Sequence, residues 1–297
     1  MDVDWRLTRF EVDNDTKRFV DVRPLTEVEV GRIRCASGIV GTMTRNNLIG
    51  PLVNSSNRLA CVSRHVLESP NERWPDTAIQ AEWGMALDEW LMHLVMFRRR
   101  TEREVRRVLG EEPAAHAAAL FQDLYTNNVD FRFCWEWRNA AQHTVNPLTI
   151  TRINGTAEEI GQSTNWTINT VAAASCGYEW PEILSSKLAE GPDCDALVAS
   201  VLDACNRVGC EVFVNNAEDI EAAADLLFAL WGEALRDMKA PPPSGPVSVC
   251  AFRARPINAD ATRHAAGIVP FRYDLAADAR LSVDNSREYL GQSRKRT

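Results

Sequence analysis

The chain has 297 residues, of which 45% are hydrophobic and 25% are charged, and its formal net charge is −8. A chain of this length and apolar content can bury a substantial core, in one large domain or in two smaller ones. The acidic balance argues against a general nucleic-acid coat, because nonspecific binding depends on neutralising phosphates, so any contact with RNA has to be local.

The sequence indicates neither a membrane span nor a metal centre. No run of about 18 uninterrupted apolar residues occurs, and the N-terminal residues include acids where a signal peptide would be basic. The eight cysteines are scattered, without a Cys-x-x-Cys pair or a nearby histidine cluster. We expect them to be buried apolar side chains rather than zinc ligands or disulfides. We therefore predict a cytoplasmic protein with no metal, no cofactor and no membrane partner.

The N-terminal segment alternates as β-strands do. Residues 5–12 and 19–23 alternate between apolar and polar side chains, and the turn-forming sequence Asp13-Asn14-Asp15 lies between them. This pattern predicts a small β-hairpin that caps the N-terminus, over residues 1–38. From about Met43 the spacing becomes helical, and Gly50-Pro51 is expected to interrupt or kink that helix.

The clearest predicted element is a long helix from about Asp76 to Leu109. Its apolar positions recur at intervals of three and four, as a core-facing stripe requires; they are Ile79, Trp83, Ala86, Trp90, Leu94 and Phe97. A dense basic stretch, Arg98-Arg99-Arg100, follows this stripe. These arginines either form a phosphate track that leads to a binding site or are the solvated end of the helix, and the second interpretation is the simpler one.

The rest of the chain predicts a bundle and an extension. Helices are expected over residues 114–125, 129–144, 193–208 and 217–235, and a β-hairpin near 148–170. The fold class is therefore mainly α, with a helical bundle over residues 39–240. Residues 241–297 are predicted to be a proline-rich linker and a C-terminal extension, with strands near 247–252 and 268–273. The polar residues from Asp284 onward are expected to form a loosely held tail.

An arginine, an amide and a histidine come together on the predicted helix 129–144, as Arg138, Asn139 and His143. An arginine binds phosphate through two hydrogen bonds and keeps its charge, whereas a histidine exchanges protons near neutral pH. Asn139 and His143 lie one turn apart, and Arg138 lies at about 140° from His143, a gap that its long side chain spans.

These groups suffice to cleave RNA without a metal, because the 2′-hydroxyl is an internal nucleophile. His143 would act as general acid or base. Arg138 would stabilise the negative charge on phosphorus, and Asn139 would orient His143 or a phosphate oxygen.

The pattern R-N-x-x-x-H resembles the motif of the HEPN superfamily, all-helical proteins that include many metal-independent ribonucleases. The similarity continues for a few residues, to Pro147-Leu148. It implies a HEPN-like helical bundle and an endoribonuclease that leaves 2′,3′-cyclic phosphate ends. It also implies a homodimer, in which two motif helices share a cleft and supply an acid and a base together. The catalytic residues would be Arg138, Asn139 and His143.

Family analogy alone adds a biological role, that of a prokaryotic toxin or defence effector with a regulatory or antitoxin partner. RNA would be the substrate. We expect the side chains that contact it to be Arg98, Arg99, Arg100 and Gln142.

Two other functions stay open. The chain could be a catalytically inactive HEPN-like protein that binds RNA or acts as a scaffold, or a helical interaction protein unrelated to the family. Arg138 and His143 would then belong to a satisfied polar layer. Trp135 and Trp137 either stack on bases or pack in the core, as is more usual. Glu136 either holds Arg138 by a salt bridge or faces solvent.

Overall fold

The computed structural model describes residues 5–13, 16–68, 77–143, 148–152, 164–168, 177–190, 193–236, 248–256 and 263–293. This part is mainly α-helical, with a small four-stranded antiparallel sheet made of strands from both ends of the sequence. The chain forms two compact units. Unit 1 comprises residues 1–45, 105–110 and 210–297, and unit 2 comprises residues 46–104 and 111–209.

Ten helices and six strands lie within the described residues. The helices are α1 (Glu27–Thr42), α2 (Arg45–Leu48), α3 (Gly50–Glu68), α4 (Thr77–Leu109), α5 (Glu111–Asn127), α6 (Val129–His143), α7 (Ser185–Glu190), α8 (Cys194–Asn215), α9 (Ala217–Leu235) and α10 (Tyr273–Ser293). The strands are β1 (Trp5–Asp13), β2 (Thr16–Leu25), β3 (Leu148–Arg152), β4 (Thr164–Ile168), β5 (Ser248–Pro256) and β6 (Arg263–Phe271). A 3₁₀ turn, Glu182–Leu184, precedes α7.

Unit 1 is built around the sheet, whose strand order is β2-β1-β5-β6 with every pair antiparallel. The predicted N-terminal hairpin is confirmed as β1 and β2, and both predicted C-terminal strands are confirmed as β5 and β6. The pairing of β1 with β5 brings the two ends of the chain into one sheet. Unit 1 therefore contains residues from both sides of the predicted domain boundaries at residues 38 and 240.

Two predictions about unit 1 are wrong. Residues 27–38 were assigned to the β-hairpin, but they begin α1, which a capping box between Thr26 and Glu29 starts. The tail from Asp284 was expected to be loosely held, but α10 continues to Ser293 and buries Val283 and Ser286. Much of the buried side of α10 consists of small residues, some of them polar, so the sequence does not show the apolar spacing by which an amphipathic helix is recognised. Residues 294–297 lie outside the described part.

Unit 2 contains an aromatic core. The predicted stripe of α4 is confirmed, since Trp83, Trp90 and Phe97 are each almost completely buried; the side chain of Ile79 lies outside the described part. The predicted interruption at Gly50-Pro51 is also confirmed, because α3 begins at Gly50 with the proline in its first turn. Strands β3 and β4 pair antiparallel and confirm the predicted hairpin.

Within the described residues, no helix combines the length and the apolar character that crossing a membrane requires. The predicted linker, residues 241–246, lies outside the described part. The cysteines depart in part from expectation, because Cys35 and Cys61 are exposed, whereas the other five described cysteines are buried.

One close approach in unit 1 depends on a glycine. Trp5 of β1 pairs with Arg253 of β5, which pairs in turn with Gly267 of β6. A Cβ at Gly267 would lie 2.7 Å from Cη2 of Trp5, an indole that is only 4% exposed. A methyl group there has to displace a buried ring.

We expect Gly267→Ala to lower the free energy of unfolding by about 1–3 kcal/mol, as overpacking of a well-packed site does. The matched control is Gly31→Ala in α1, where a new Cβ meets nothing within 4 Å; alanine should be neutral or stabilising there, by about 0.5–1 kcal/mol. Urea unfolding measures both. Equal stability of the two variants would contradict the close packing of Trp5 on Gly267.

Candidate functional site

Helix α6 carries the arginine, the amide and the histidine, and local contacts define where it begins. The side chain of Asn128 accepts a hydrogen bond from the backbone N–H of Phe131 at 2.8 Å, which caps the N-terminus of the helix. Arg132 donates to the carbonyl oxygens of Tyr125 and Thr126 at 2.8 and 2.9 Å. Because these are carbonyls from the last turn of α5, the contacts satisfy groups that a helix end leaves unpaired.

The first turn of α6 is also tied to the helices that follow it in unit 2. Asp130 accepts from Nζ of Lys187 on α7 and from the hydroxyl of Ser200 on α8, each at 2.7 Å. Burial alone would raise the pKa of Asp130, but the two hydrogen bonds outweigh it, and the pKa is lowered. The carboxylate thus stays ionised and holds three helices together.

The two sides of α6 differ in burial. Phe133, Cys134, Trp137 and Ala140 are buried, and Trp137 is only 1% exposed. The core interpretation of Trp137 is therefore confirmed. Trp135, Arg138 and Asn139, at spacings of three and four, are half-buried and lie together on the outer side. The predicted site residues Gln142 and His143 occupy the last turn of α6, but their side chains lie outside the described part.

Glu136 is the centre of a hydrogen-bond cluster beneath this outer side. Its side chain is 7% exposed, so the alternative in which it faces solvent is wrong. Its Oε1 accepts from the hydroxyl of Tyr125 at 2.5 Å, and its Oε2 accepts from the hydroxyl of Tyr178 and from Nδ2 of Asn139, the latter at 3.2 Å. Three donors compensate the carboxylate for the water that it loses.

The cluster changes the acidity of both phenols. The pKa of Tyr125 and that of Tyr178 are each raised from 10.0 to about 12, first by burial and then by the hydrogen bond to Glu136 and by its charge. A hydrogen bond from Asn139 to Tyr178 acts in the opposite sense. Both phenols therefore remain protonated donors at neutral pH.

Asn139 is oriented by these contacts. Because its Nδ2 donates to Glu136, the amide plane is fixed and its Oδ1 points away from that carboxylate. An oxygen acceptor held in this way, one helical turn before His143, suits the predicted role of Asn139 in orienting the imidazole.

The three arginines of the basic stretch on α4 differ in their exposure and in their contacts. Arg98 is paired with Glu102 at 2.9 Å, and its guanidinium carbon lies 5.4 Å from the centre of the Trp135 ring. Arg99 is exposed, and Arg100 is half-buried. Arg98 is therefore adjacent to the outer side of α6, through the aromatic residue that lies one turn before Arg138 and Asn139.

Neither of the two tyrosines could be predicted as part of the site. Tyr125 belongs to the preceding helix, and Tyr178 lies in the coil before the 3₁₀ turn, 42 residues from Glu136. One signal was available in the sequence, because Glu136 is a charged residue within an otherwise apolar stretch of α6. A carboxylate that is buried with that stretch requires hydrogen-bond donors from elsewhere in the chain.

In the part of the chain that the structure describes, no three His, Cys, Asp or Glu side chains are grouped as a metal site would need.

Comparisons with protein-family models, with curated proteins and with solved structures find no match to the chain.

We expect this cluster to stabilise the folded protein less as the pH becomes alkaline. Tyr125 and Tyr178 lose their protons more readily in the unfolded chain, at a pKa near 10, than in the folded protein, at about 12. Their contribution to the free energy of unfolding is thus complete below pH 10 and is lost as the pH rises towards about 12. Phenolate absorbance should show two late ionisations.

Glu136→Gln should bring both ionisations to lower pH without restoring the ordinary value, because burial remains. Tyr178→Phe should remove one of them. The matched control Tyr273→Phe removes a phenol outside the cluster, so both late ionisations should persist. If Glu136→Gln leaves the phenolate titration unchanged, the carboxylate does not contact these hydroxyls.

Proposed function

We propose that the chain is a metal-independent endoribonuclease of the HEPN type. The observation that carries this proposal is the sequence Arg138-Asn139-x-x-x-His143 within one helix, with Arg138 and Asn139 on its half-buried outer side and Asn139 held by Glu136. The mainly α fold and the aromatic core of unit 2 are compatible with a HEPN-like bundle, into which the hairpin β3–β4 is inserted after the motif helix.

In the proposed reaction, His143 removes the proton from the 2′-hydroxyl or protonates the leaving 5′ oxygen. Arg138 binds the phosphate oxygens and stabilises the charge that develops on them. Asn139, fixed through Nδ2, offers Oδ1 to an N–H of the imidazole and so determines which nitrogen faces the substrate. The products carry 2′,3′-cyclic phosphate ends, and DNA is not cleaved.

We further propose that the active form is a homodimer, because one chain supplies a single motif histidine whereas transfer benefits from an acid and a base together. Two copies of α6 would face each other, each contributing Arg138 and His143. As a prokaryotic toxin or defence effector in the cytoplasm, such an enzyme would be restrained by a regulatory or antitoxin partner.

The proposed substrate path runs from the basic stretch of α4 to α6. Arg98 lies over Trp135, which is one helical turn from Arg138 and Asn139. Arg99, Arg100 and Gln142 would contact further phosphates. Since the whole chain carries a net charge of −8, this local group of cations has to attract RNA against the overall charge.

RNA cleavage in EDTA tests the proposed chemistry. We expect cleavage to persist without metal, and to fall by about 10²–10⁴-fold in His143→Ala and about 10²–10³-fold in Arg138→Ala. His116→Ala on α5 and Arg64→Ala on α3 are the matched controls, because both side chains are exposed outside α6. Product ends are identified by their resistance to enzymes that require a free 3′-hydroxyl.

The outcomes separate the candidate functions. Loss of cutting in EDTA, or full activity of His143→Ala, would exclude the proposed chemistry. Binding of RNA without cleavage by the folded wild-type protein would favour the alternative, a catalytically inactive HEPN-like RNA-binding or scaffold protein. Absence of both binding and cleavage would favour a helical interaction protein.

The proposed path makes a separate prediction for Arg99. Arg99→Gln should weaken RNA binding several-fold and reduce the dependence of log affinity on log salt by about 1, as the loss of one phosphate contact does. The rate of cleavage of bound RNA should stay the same. Arg64→Gln removes the same charge from another exposed helix position, so it measures the effect of net charge alone. An equal loss of affinity in the two variants would exclude a track through Arg99.

A further inference from the structure

Unit 1 contains a cavity of about 480 Å³ that the proposed ribonuclease chemistry does not use. It lies between α1, the end of β6 and the start of α10. Cavities that hold small molecules have volumes of about 300–1,000 Å³, so this one is large enough for a compact organic ligand.

Most of the cavity wall is aliphatic. Val40 of α1, Val269 of β6 and Leu275 of α10 contribute to it. Ile268 also lines the cavity and is 52% exposed, although it is a large apolar side chain. A wall of this composition favours a ligand with an apolar body, because contact with Ile268 would remove hydrocarbon from water.

Ser37 supplies a polar group without a partner. Its Oγ is buried, and within the described residues it has no hydrogen-bond partner. Buried hydroxyls are nearly always hydrogen-bonded. Ser37 lines the cavity, so a rotamer change that turns its Oγ towards the cavity would let a ligand oxygen accept its proton.

Arg34 supplies a positive charge at the same cavity. Its guanidinium carbon lies 5.0 Å from the centre of the Trp5 ring, and no carboxylate in the described part of the chain is paired with it. The indole is itself fixed, because it is buried and its Nε1 donates to Glu27 at 3.1 Å. An aromatic face orients a guanidinium without neutralising it.

The other arginine of the cavity differs from Arg34. Arg272 forms two hydrogen bonds with the carboxylate of Asp274, so most of its charge is compensated. Arg253 adds a second cation near the same indole, with its guanidinium carbon 5.9 Å from the ring centre. Of the two arginines that line the cavity, Arg34 is thus the one that no described carboxylate pairs.

We propose that this cavity binds a small organic anion with an apolar body. The acidic head, a carboxylate or a sulfonate, would contact Arg34 and accept a hydrogen bond from Ser37. The body would lie against Val40, Val269 and Leu275 and cover Ile268. This site goes beyond the proposed ribonuclease function and does not depend on it.

Two fluorescent probes with the same aromatic scaffold test the proposal on the full chain. Anilinonaphthalene sulfonate carries the acidic head, and N-phenyl-1-naphthylamine lacks it. We expect one saturable sulfonate site per chain, and weakening by at least about tenfold in Arg34→Gln, the value of one lost hydrogen bond to a charged group. The uncharged probe should bind equally to the wild type and to Arg34→Gln.

The matched control is Arg32→Gln, which removes the same charge from an exposed position of α1 that does not line the cavity. Its sulfonate affinity should match that of the wild type, and Arg34→Lys should recover part of the affinity lost in Arg34→Gln. Displacement by octanoate or by 2-naphthoate then identifies an aliphatic or an aromatic body.

Several results would overturn the proposal. These are absence of saturable sulfonate binding, equal affinity in Arg34→Gln and the wild type, equal weakening in Arg32→Gln, and resistance to both competing carboxylates. Circular dichroism of each variant verifies that the fold is intact. Because RNA cleavage is assayed separately, failure of this site and failure of the ribonuclease proposal are distinguishable.

Discussion

The buried carboxylate of Glu136 is the constraint on which the candidate site depends. An ionised group removed from water costs several kcal/mol unless donors replace the water, and here three side chains do so. These donors come from α5, from α6 itself and from the coil that contains Tyr178. One charge therefore determines which parts of unit 2 must lie together around α6, and it orients Asn139, which carries part of the proposed chemistry.

Elements with long apolar stripes could be predicted from the sequence, because burial of large side chains at a helical spacing leaves little ambiguity. Helix α4 is the clearest example. Helix α1 was missed because three glycines interrupt its sequence, and the whole of α10 was missed because part of its buried side consists of alanine and serine. Strand alternation identified β1 and β5 separately. It carries no information on their pairing, which joins residues from opposite ends of the chain.

The candidate site was predictable only where its residues are close in sequence. Arg138, Asn139 and His143 could be recognised because helical geometry alone makes them neighbours. The contact of Tyr178 with Glu136 depends on the path of the chain through the hairpin and the following coil, which local spacing does not encode. The burial of Glu136 was unpredictable for the same reason, since a carboxylate is tolerated in the interior only when distant donors reach it.

The arginines of this acidic chain differ in whether a carboxylate or an aromatic ring contacts the guanidinium. Arg23, Arg58, Arg280 and Arg287 are paired with carboxylates, so their charges are largely compensated. Arg98 lies over Trp135 but is also paired with Glu102, and its attraction for phosphate is accordingly reduced. Arg34 is held by Trp5 with no such acid among the described residues. A guanidinium that no carboxylate pairs gives up no ion pair when an anion arrives, so the structure favours Arg34 over Arg98 as a contact for an anionic group.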